Sequence, residues 1–229
     1  MPMRQLLLDL PTAAAPSLDN FEAGRNGELL ALLTRHRHAA AASLDERFVY
    51  CWGEAGAGKS HLLQALAQRD DARLLTADSA PHDFVHACGI NLFLLDDCDR
   101  LSALQQEAAF ALFNQIREHG AGLIASGALP PAQLSLREDL RTRLGWGLIY
   151  QVHGLTDEEK ITALTLTAKT RGFTLASGVL PYLITHFQRD MRSLAAMLDA
   201  LDHYSLETKR PVTLPLLREL LQREPSADT

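Results

Sequence analysis

Gly53-Glu54-Ala55-Gly56-Ala57-Gly58-Lys59-Ser60 is the stretch on which the reading of this chain turns. It matches the phosphate-binding pattern G-x-x-x-x-G-K-[ST]. It also sits in the frame which that pattern needs: the apolar run Phe48-Val49-Tyr50-Cys51-Trp52 reads as a buried strand before it, and His61 to Gln68 reads as a helix after it. Glycines let successive backbone N–H groups turn inward around phosphate, and the following helix adds the positive end of its dipole. Lys59 is expected to reach the β- and γ-phosphates of ADP or ATP, and Ser60 to ligate Mg²⁺. The candidate nucleotide-binding set is therefore Gly53, Glu54, Ala55, Gly56, Ala57, Gly58, Lys59, Ser60 and the adjoining His61.

Working outward, strand and helix signals alternate. Glu28 to His38 predicts a helix with Leu29, Leu30, Leu32 and Leu33 on its apolar side. Arg73 to Thr76 and Leu92 to Leu95 read as strands, the second ending in Asp96-Asp97. Ser102 with Gln105 is a capping box opening a helix to about Glu118. Gly122 to Ser126 and Leu148 to Val152 are two more apolar strands. This alternation predicts an α/β fold with a mostly parallel sheet covered on both faces. At the end of its strand, Asp96 is placed to complete a Mg²⁺ shell, and Asp97 to orient or deprotonate an attacking water. The same aspartates, with Asp99, also suit capping of the next helix. After about His153 only helices are predicted. Thr156 with Glu159 caps one that ends at Gly172, Leu180, Leu183, Ile184 and Phe187 mark a second, Asp190 caps a third, and Thr213 to Gln222 is a fourth.

The 229 residues are 47 % hydrophobic and 22 % charged, with a net charge of −6. That composition is globular, and its acidity argues against nucleic acid as the main direct ligand. Cys51, Cys88 and Cys98 lack metal-binding spacing and read as reduced thiols of a cytoplasmic protein. No signal peptide is expected, and no apolar run approaches the roughly 20 residues needed to span a bilayer, so no membrane partner is expected. Residues 1–16 read as a tail: an apolar cluster from Gln5 to Leu10, then the small-residue run Pro11 to Pro16 as a tether. Only Ala39 to Ala42 is low in complexity.

Four segments together resemble DnaA-type AAA+ proteins. Ser17-Leu18-Asp19-Asn20-Phe21 resembles the opening of their nucleotide-binding domain, and Gly56 to Leu62 their phosphate loop. Arg141-Thr142-Arg143-Leu144-Gly145-Trp146-Gly147 resembles their box VII, and Asp190-Met191-Arg192-Ser193-Leu194 their sensor 2 segment. The resemblance spans Ser17 to about Leu221. It implies an AAA+ α/β domain over 17–154 and a helical lid over 155–229. Taken from composition alone, an arginine on a surface loop is only a solvated charge. The resemblance implies that Arg143, on the loop before the last strand, is an arginine finger presented to a neighbour's nucleotide, and that Arg192 reaches the chain's own nucleotide from the lid. Whether Arg141 or Arg143 is the finger stays open, as does homo-oligomerisation.

Departures from DnaA sharpen the expectation. The chain stops soon after the lid, with no sequence for a helix-turn-helix DNA-binding domain, and the Thr76 to Leu92 segment is too short for the extra pair of helices that initiators use on DNA. The tail Gln5-Leu6-Leu7-Leu8-Asp9-Leu10 resembles the peptide that docks on the bacterial sliding clamp, with Gln5, Leu6, Leu8 and Leu10 as its anchors. Ala128 stands where the family is expected to carry an acidic sensor 1 residue, and Asp97 where many AAA+ proteins use the longer Glu, which puts efficient hydrolysis by this chain alone in doubt. The resemblance then implies a regulator of DnaA, with the clamp as second partner and DNA contacted through it. The rival expectations are a DnaA-recruiting factor and a stand-alone ATPase.

Overall fold

The computed structural model describes residues 15–38, 45–187 and 190–223. The expected clamp anchors Gln5, Leu6, Leu8 and Leu10, and the run Ala39 to Ala42, lie outside the described residues. The chain divides into two units, one spanning Ala15–Gly154 and one from Leu155 onward.

The first unit is built on five parallel strands: β1 (Phe48–Trp52), β2 (Ala72–Leu75), β3 (Leu92–Leu95), β4 (Gly122–Gly127) and β5 (Leu148–Gln151). Their order across the sheet is β2-β3-β4-β1-β5. Every residue of β3 and of β4 is buried, as the unbroken apolar runs require of central parallel strands. Successive side chains leave the sheet on opposite faces. Val49, Cys51, Leu92, Leu94 and Ile124 therefore pack with α1 (Gly27–Arg37) and α2 (Lys59–Leu66). Tyr50, Phe93, Leu95, Leu123 and Ala125 pack with α3 (Ala103–His119) and α4 (Glu138–Leu144). Each fully buried Leu or Phe contributes about 1.5–3 kcal/mol, so the two layers hold the sheet from both sides. β5 is an edge strand, and its residues alternate between half-buried and exposed. Ala15 and Pro16 already belong to this unit: Asn20 Nδ2 donates to Ala15 O at 3.0 Å, and Gln68 Nε2 donates to Pro16 O.

Two readings change. α2 starts at Lys59, directly after Gly58 in the left-handed region, and ends at Leu66, two residues before the expected Gln68. The segment carrying Arg141 and Arg143 is not a loop but the last turn of α4. Glu138 and Asp139 lie in the first turn of α4 and Arg141 and Arg143 in its last, a charge order that complements the helix dipole. With seven residues the helix holds one i,i+4 apolar pair, Leu140 and Leu144, too little for a periodic signal. Between Thr76 and Leu92 the described chain forms one 3₁₀ turn, Pro81–Asp83, and no α-helix.

The second unit consists of α5 (Asp157–Thr170), α6 (Val179–His186), α7 (Met191–Thr208) and α8 (Leu214–Arg223). The Thr156–Glu159 box is closed both ways, and Asp190 Oδ1 accepts from Ser193 N–H at 2.9 Å to cap α7. Leu164, Leu183, Leu194, Leu198, Leu201 and Leu217 form its core.

Candidate nucleotide-binding site

In an open parallel sheet, ligands bind beyond the carboxyl ends of the strands where the strand order reverses. Here that place is the end of β1: its successor β2 lies at one edge of the sheet, while β1 itself pairs with β4 and β5. The glycine loop leaves from this end. Lys59 is buried at the start of α2 and its ammonium donates to Gly53 O at 2.7 Å and Glu54 O at 2.9 Å. Those carbonyls hold the cation across the loop. Glu54, Ala55 and Gly56 are exposed at the loop's crest, Ala57 is buried, and Ser60 is half-buried on the first turn of the helix.

Gly58 has φ +100°, and a Cβ there would lie 2.6 Å from Phe21 Cε2. Phe21 thus closes on the loop through a gap that only glycine leaves. It also packs beside the His61 ring, at 5.7 Å between centroids. His61 Nε2 lies 2.9 Å from Ser17 O, and since a carbonyl only accepts, Nε2 carries the proton. His61 therefore ties the Ser17–Phe21 segment to α2. Asn26, also buried, exchanges two bonds with the His153 backbone: Nδ2 donates to His153 O and Oδ1 accepts from His153 N–H, both at 2.8 Å. This pair joins the start of α1 to the chain leaving β5.

Asp96 and Asp97 directly follow β3, with Asp97 within range of the Lys59 charge. Asp96 is buried, and Ser126, fully buried at the end of β4, donates its hydroxyl to Asp96 Oδ1 at 2.5 Å. The same hydroxyl accepts from Asp97 N–H at 2.9 Å. Asp97 takes a left-handed backbone, φ +46°, and opens the Cys98–Arg100 turn. Burial raises the Asp97 carboxyl above the ordinary carboxylate range, and the Asp96 and Asp99 charges add to this, while Lys59 and Arg100 oppose it. Asp99 Oδ1 accepts from Ala128 N–H at 3.1 Å, so Ala128 contributes a backbone bond and no side-chain polar group. The donor set fits a nucleotide with a hard divalent ion: a buried ammonium and a glycine cradle for phosphate, and a hydroxyl and carboxylate for Mg²⁺.

Arg143 is set apart from these groups, on α4. Its guanidinium lies 3.9 Å from the Trp146 ring centroid, 5.7 Å from that of Phe110 and 5.8 Å from that of Phe113. Among the described residues it makes no hydrogen bond or ion pair. The Arg141 guanidinium makes none either, and it lies over no ring. Arg192 is exposed at the second residue of α7, whose first turn holds no acidic residue. A cation there opposes the helix dipole, and the carboxylate of Asp190, the N-cap two residues before it, offsets that.

The sequence singled out the glycine loop, Asp96, Asp97, Arg143 and Arg192. The structure brings the first three into one cluster. Ser126, Phe21 and Asn26 were missed as site residues: Ser126 read only as the end of an apolar strand, Phe21 only as the last residue of the segment that opens the domain, and Asn26 carries no motif at all.

The model of the bacterial DnaA ATPase domain matches residues 15–151, and the model of the Hda lid domain matches residues 157–221. Domain III of the Thermotoga maritima replication initiation protein DnaA superposes with TM-score 0.69 at 19 % identity, covering 91 % of this chain and 97 % of that one. AMPPCP-bound DnaA from Aquifex aeolicus gives 0.67 at 21 % identity, covering 91 % and 70 %. A Thermotoga maritima RuvB variant gives 0.65 at 14 %, covering 91 % and 72 %. These likenesses show the fold, an AAA+ α/β domain followed by a helical lid, and the family models go further. The chain belongs to the bacterial DnaA ATPase family, as an AAA+ protein related to DnaA and Hda.

Proposed function

We propose that this chain is a nucleotide-bound regulator that inactivates DnaA in the cytoplasm. It holds ADP or ATP with Mg²⁺ at the loop from Gly53 to Ser60, with Asp96 completing the metal shell and Arg192 acting from the lid. It docks through Gln5, Leu6, Leu8 and Leu10 on the DNA-loaded sliding clamp, and it supplies Arg143 to ATP bound on DnaA. Hydrolysis there leaves ADP-bound initiator and prevents a second round of initiation.

The observation that carries this reading is Arg143: a guanidinium held against aromatic rings, with no carboxylate of its own to neutralise it. Such a group serves a charge brought by another molecule. In phosphoryl transfer negative charge spreads over the equatorial oxygens, and an arginine given in trans raises hydrolysis by roughly 10³–10⁵ in GTPases. Ala128 supports the complementary half of the reading, in which the chain's own ATPase is slow.

The test is conversion of DnaA-bound ATP to ADP, followed with and without this chain and clamp-loaded DNA. Arg143→Ala should remove the stimulation and keep nucleotide and clamp binding. Arg143→Lys should rescue poorly, because an ammonium lacks the planar fork. If Arg141→Ala alone abolishes stimulation, Arg141 is the finger. If neither single variant nor the double slows hydrolysis, the chain recruits DnaA without acting on its ATP.

A further inference from the structure

We infer that Trp146 is a positioning residue for Arg143, an indole platform that holds the guanidinium ready for a partner's phosphate. The inference rests on the proposal that Arg143 acts in trans.

The backbone sets the geometry. Trp146 N–H donates to Arg143 O at 3.1 Å, closing the last turn of α4 and bringing the two side chains together three residues apart. Gly147, next along, lies so close to β1 that a Cβ would fall 1.8 Å from Phe48 O. Trp146 is therefore anchored at the sheet through its neighbour. Its ring meets Phe113 edge-on, 6.0 Å between centroids and 83° between planes, and Phe113 in turn packs on Phe48 at 4.6 Å. The platform is fastened to the core at one edge, while Trp146 as a whole stays 52 % exposed.

A guanidinium stacked on an aromatic face keeps its N–H groups in its own plane, so stacking orders the long side chain without consuming its donors. A carboxylate clamp would order it equally well and also neutralise it. Arg137 on the same rim shows that alternative, paired with Asp139 at 3.0 Å and with Glu107. Arg137, Arg143 and Trp146 help line an open groove of about 730 Å³, and there Arg143 is the cation whose charge is not already met. Arg141 has neither ring nor carboxylate to order it, so the same geometry favours Arg143 over Arg141 as the finger.

The experiment is single-turnover hydrolysis of ATP on DnaA, with this chain titrated on clamp-loaded DNA. It uses Trp146→Leu, Trp146→Met, Trp146→Phe, Arg143→Ala and the Arg143→Ala/Trp146→Leu double variant. Leu and Met offer apolar bulk without a π face, and two of them guard against one failing to fold. Both should lower the maximal stimulated rate by roughly 3- to 30-fold, with the half-saturating concentration and the chain's own nucleotide affinity unchanged. Phe should restore most of the rate. In the Arg143→Ala background the Leu change should cost nothing more. A full rate with Trp146→Leu overturns the inference, as does a loss that appears only in half-saturation or that adds to Arg143→Ala. Full stimulation by Arg143→Ala alone overturns instead the trans-finger reading beneath it.

Discussion

Ser126 donates its hydroxyl to Asp96 Oδ1 at 2.5 Å across the β3–β4 pair, linking residues 30 apart in the chain. A hydrogen bond to a charged acceptor is worth about 1.5–3 kcal/mol, and losing it leaves a buried carboxylate oxygen unpaired. Ser126→Ala should therefore destabilise the first unit by about that amount. It should also weaken the Mg²⁺ dependence of nucleotide binding, because Asp96 loses its orientation. Denaturant unfolding and nucleotide titration with and without Mg²⁺ measure both effects. Unaltered Mg²⁺ dependence would show that Asp96 has no part in the metal shell.

Lys59→Ala should lower affinity for ADP and ATP by at least about a hundredfold, since a charge-assisted phosphate contact and its ordering of the loop go together. The fold should survive, because the cation's own partners in the protein are two backbone carbonyls of the loop. Isothermal titration reads the affinity, and circular dichroism checks the fold. Retained tight binding would place the phosphates elsewhere.

Gly58→Ala should cost about 1–2 kcal/mol for a side chain at positive φ, with a steric penalty against Phe21 in addition. Trimming the obstacle with Phe21→Ala should relieve the steric part and leave the backbone part. A double-mutant cycle on unfolding free energy separates the two, and additive single effects would mean that Phe21 does not sit on the loop.

His36 makes stability pH-dependent. It is buried on α1 with Nε2 donating to Glu46 O at 3.0 Å, and burial holds its pKa below the ordinary 6.5, with the Arg69 and Arg35 charges acting in the same direction. Below 6.5 the unfolded chain takes up a proton that the folded chain does not until lower pH. Stability contributed by neutral His36 is thus full above that value and is lost as pH falls through the window beneath it. His36→Gln should flatten this part of the profile. Urea midpoints on either side of 6.5 test it, and an unchanged difference between wild type and variant would remove His36 as the cause.

Much of the architecture lay in local pattern. Capping boxes at Ser102 and Thr156 closed as their spacing requires, and β1 ran over the residues expected of it. Such features depend on residues a few positions apart, so one stretch of chain suffices to state them. The same holds for the glycine loop, whose strand and helix lie directly on either side. α4 was the exception, because seven residues hold barely one apolar repeat and its helical state depends on Leu140 and Leu144 reaching the core.

By itself, then, the sequence determined the parallel α/β frame, the helical lid, the phosphate loop and the pair of aspartates at the end of β3. Which groups meet around them came from packing in three dimensions: Ser126 on Asp96, Phe21 on Gly58, Asn26 on the His153 backbone and Arg143 on Trp146. The first three pairings join segments distant in the chain, and strand register and layer packing choose them from many compatible alternatives. The fourth joins near neighbours, yet it needs a helix turn and an anchored glycine that the local pattern was too short to announce.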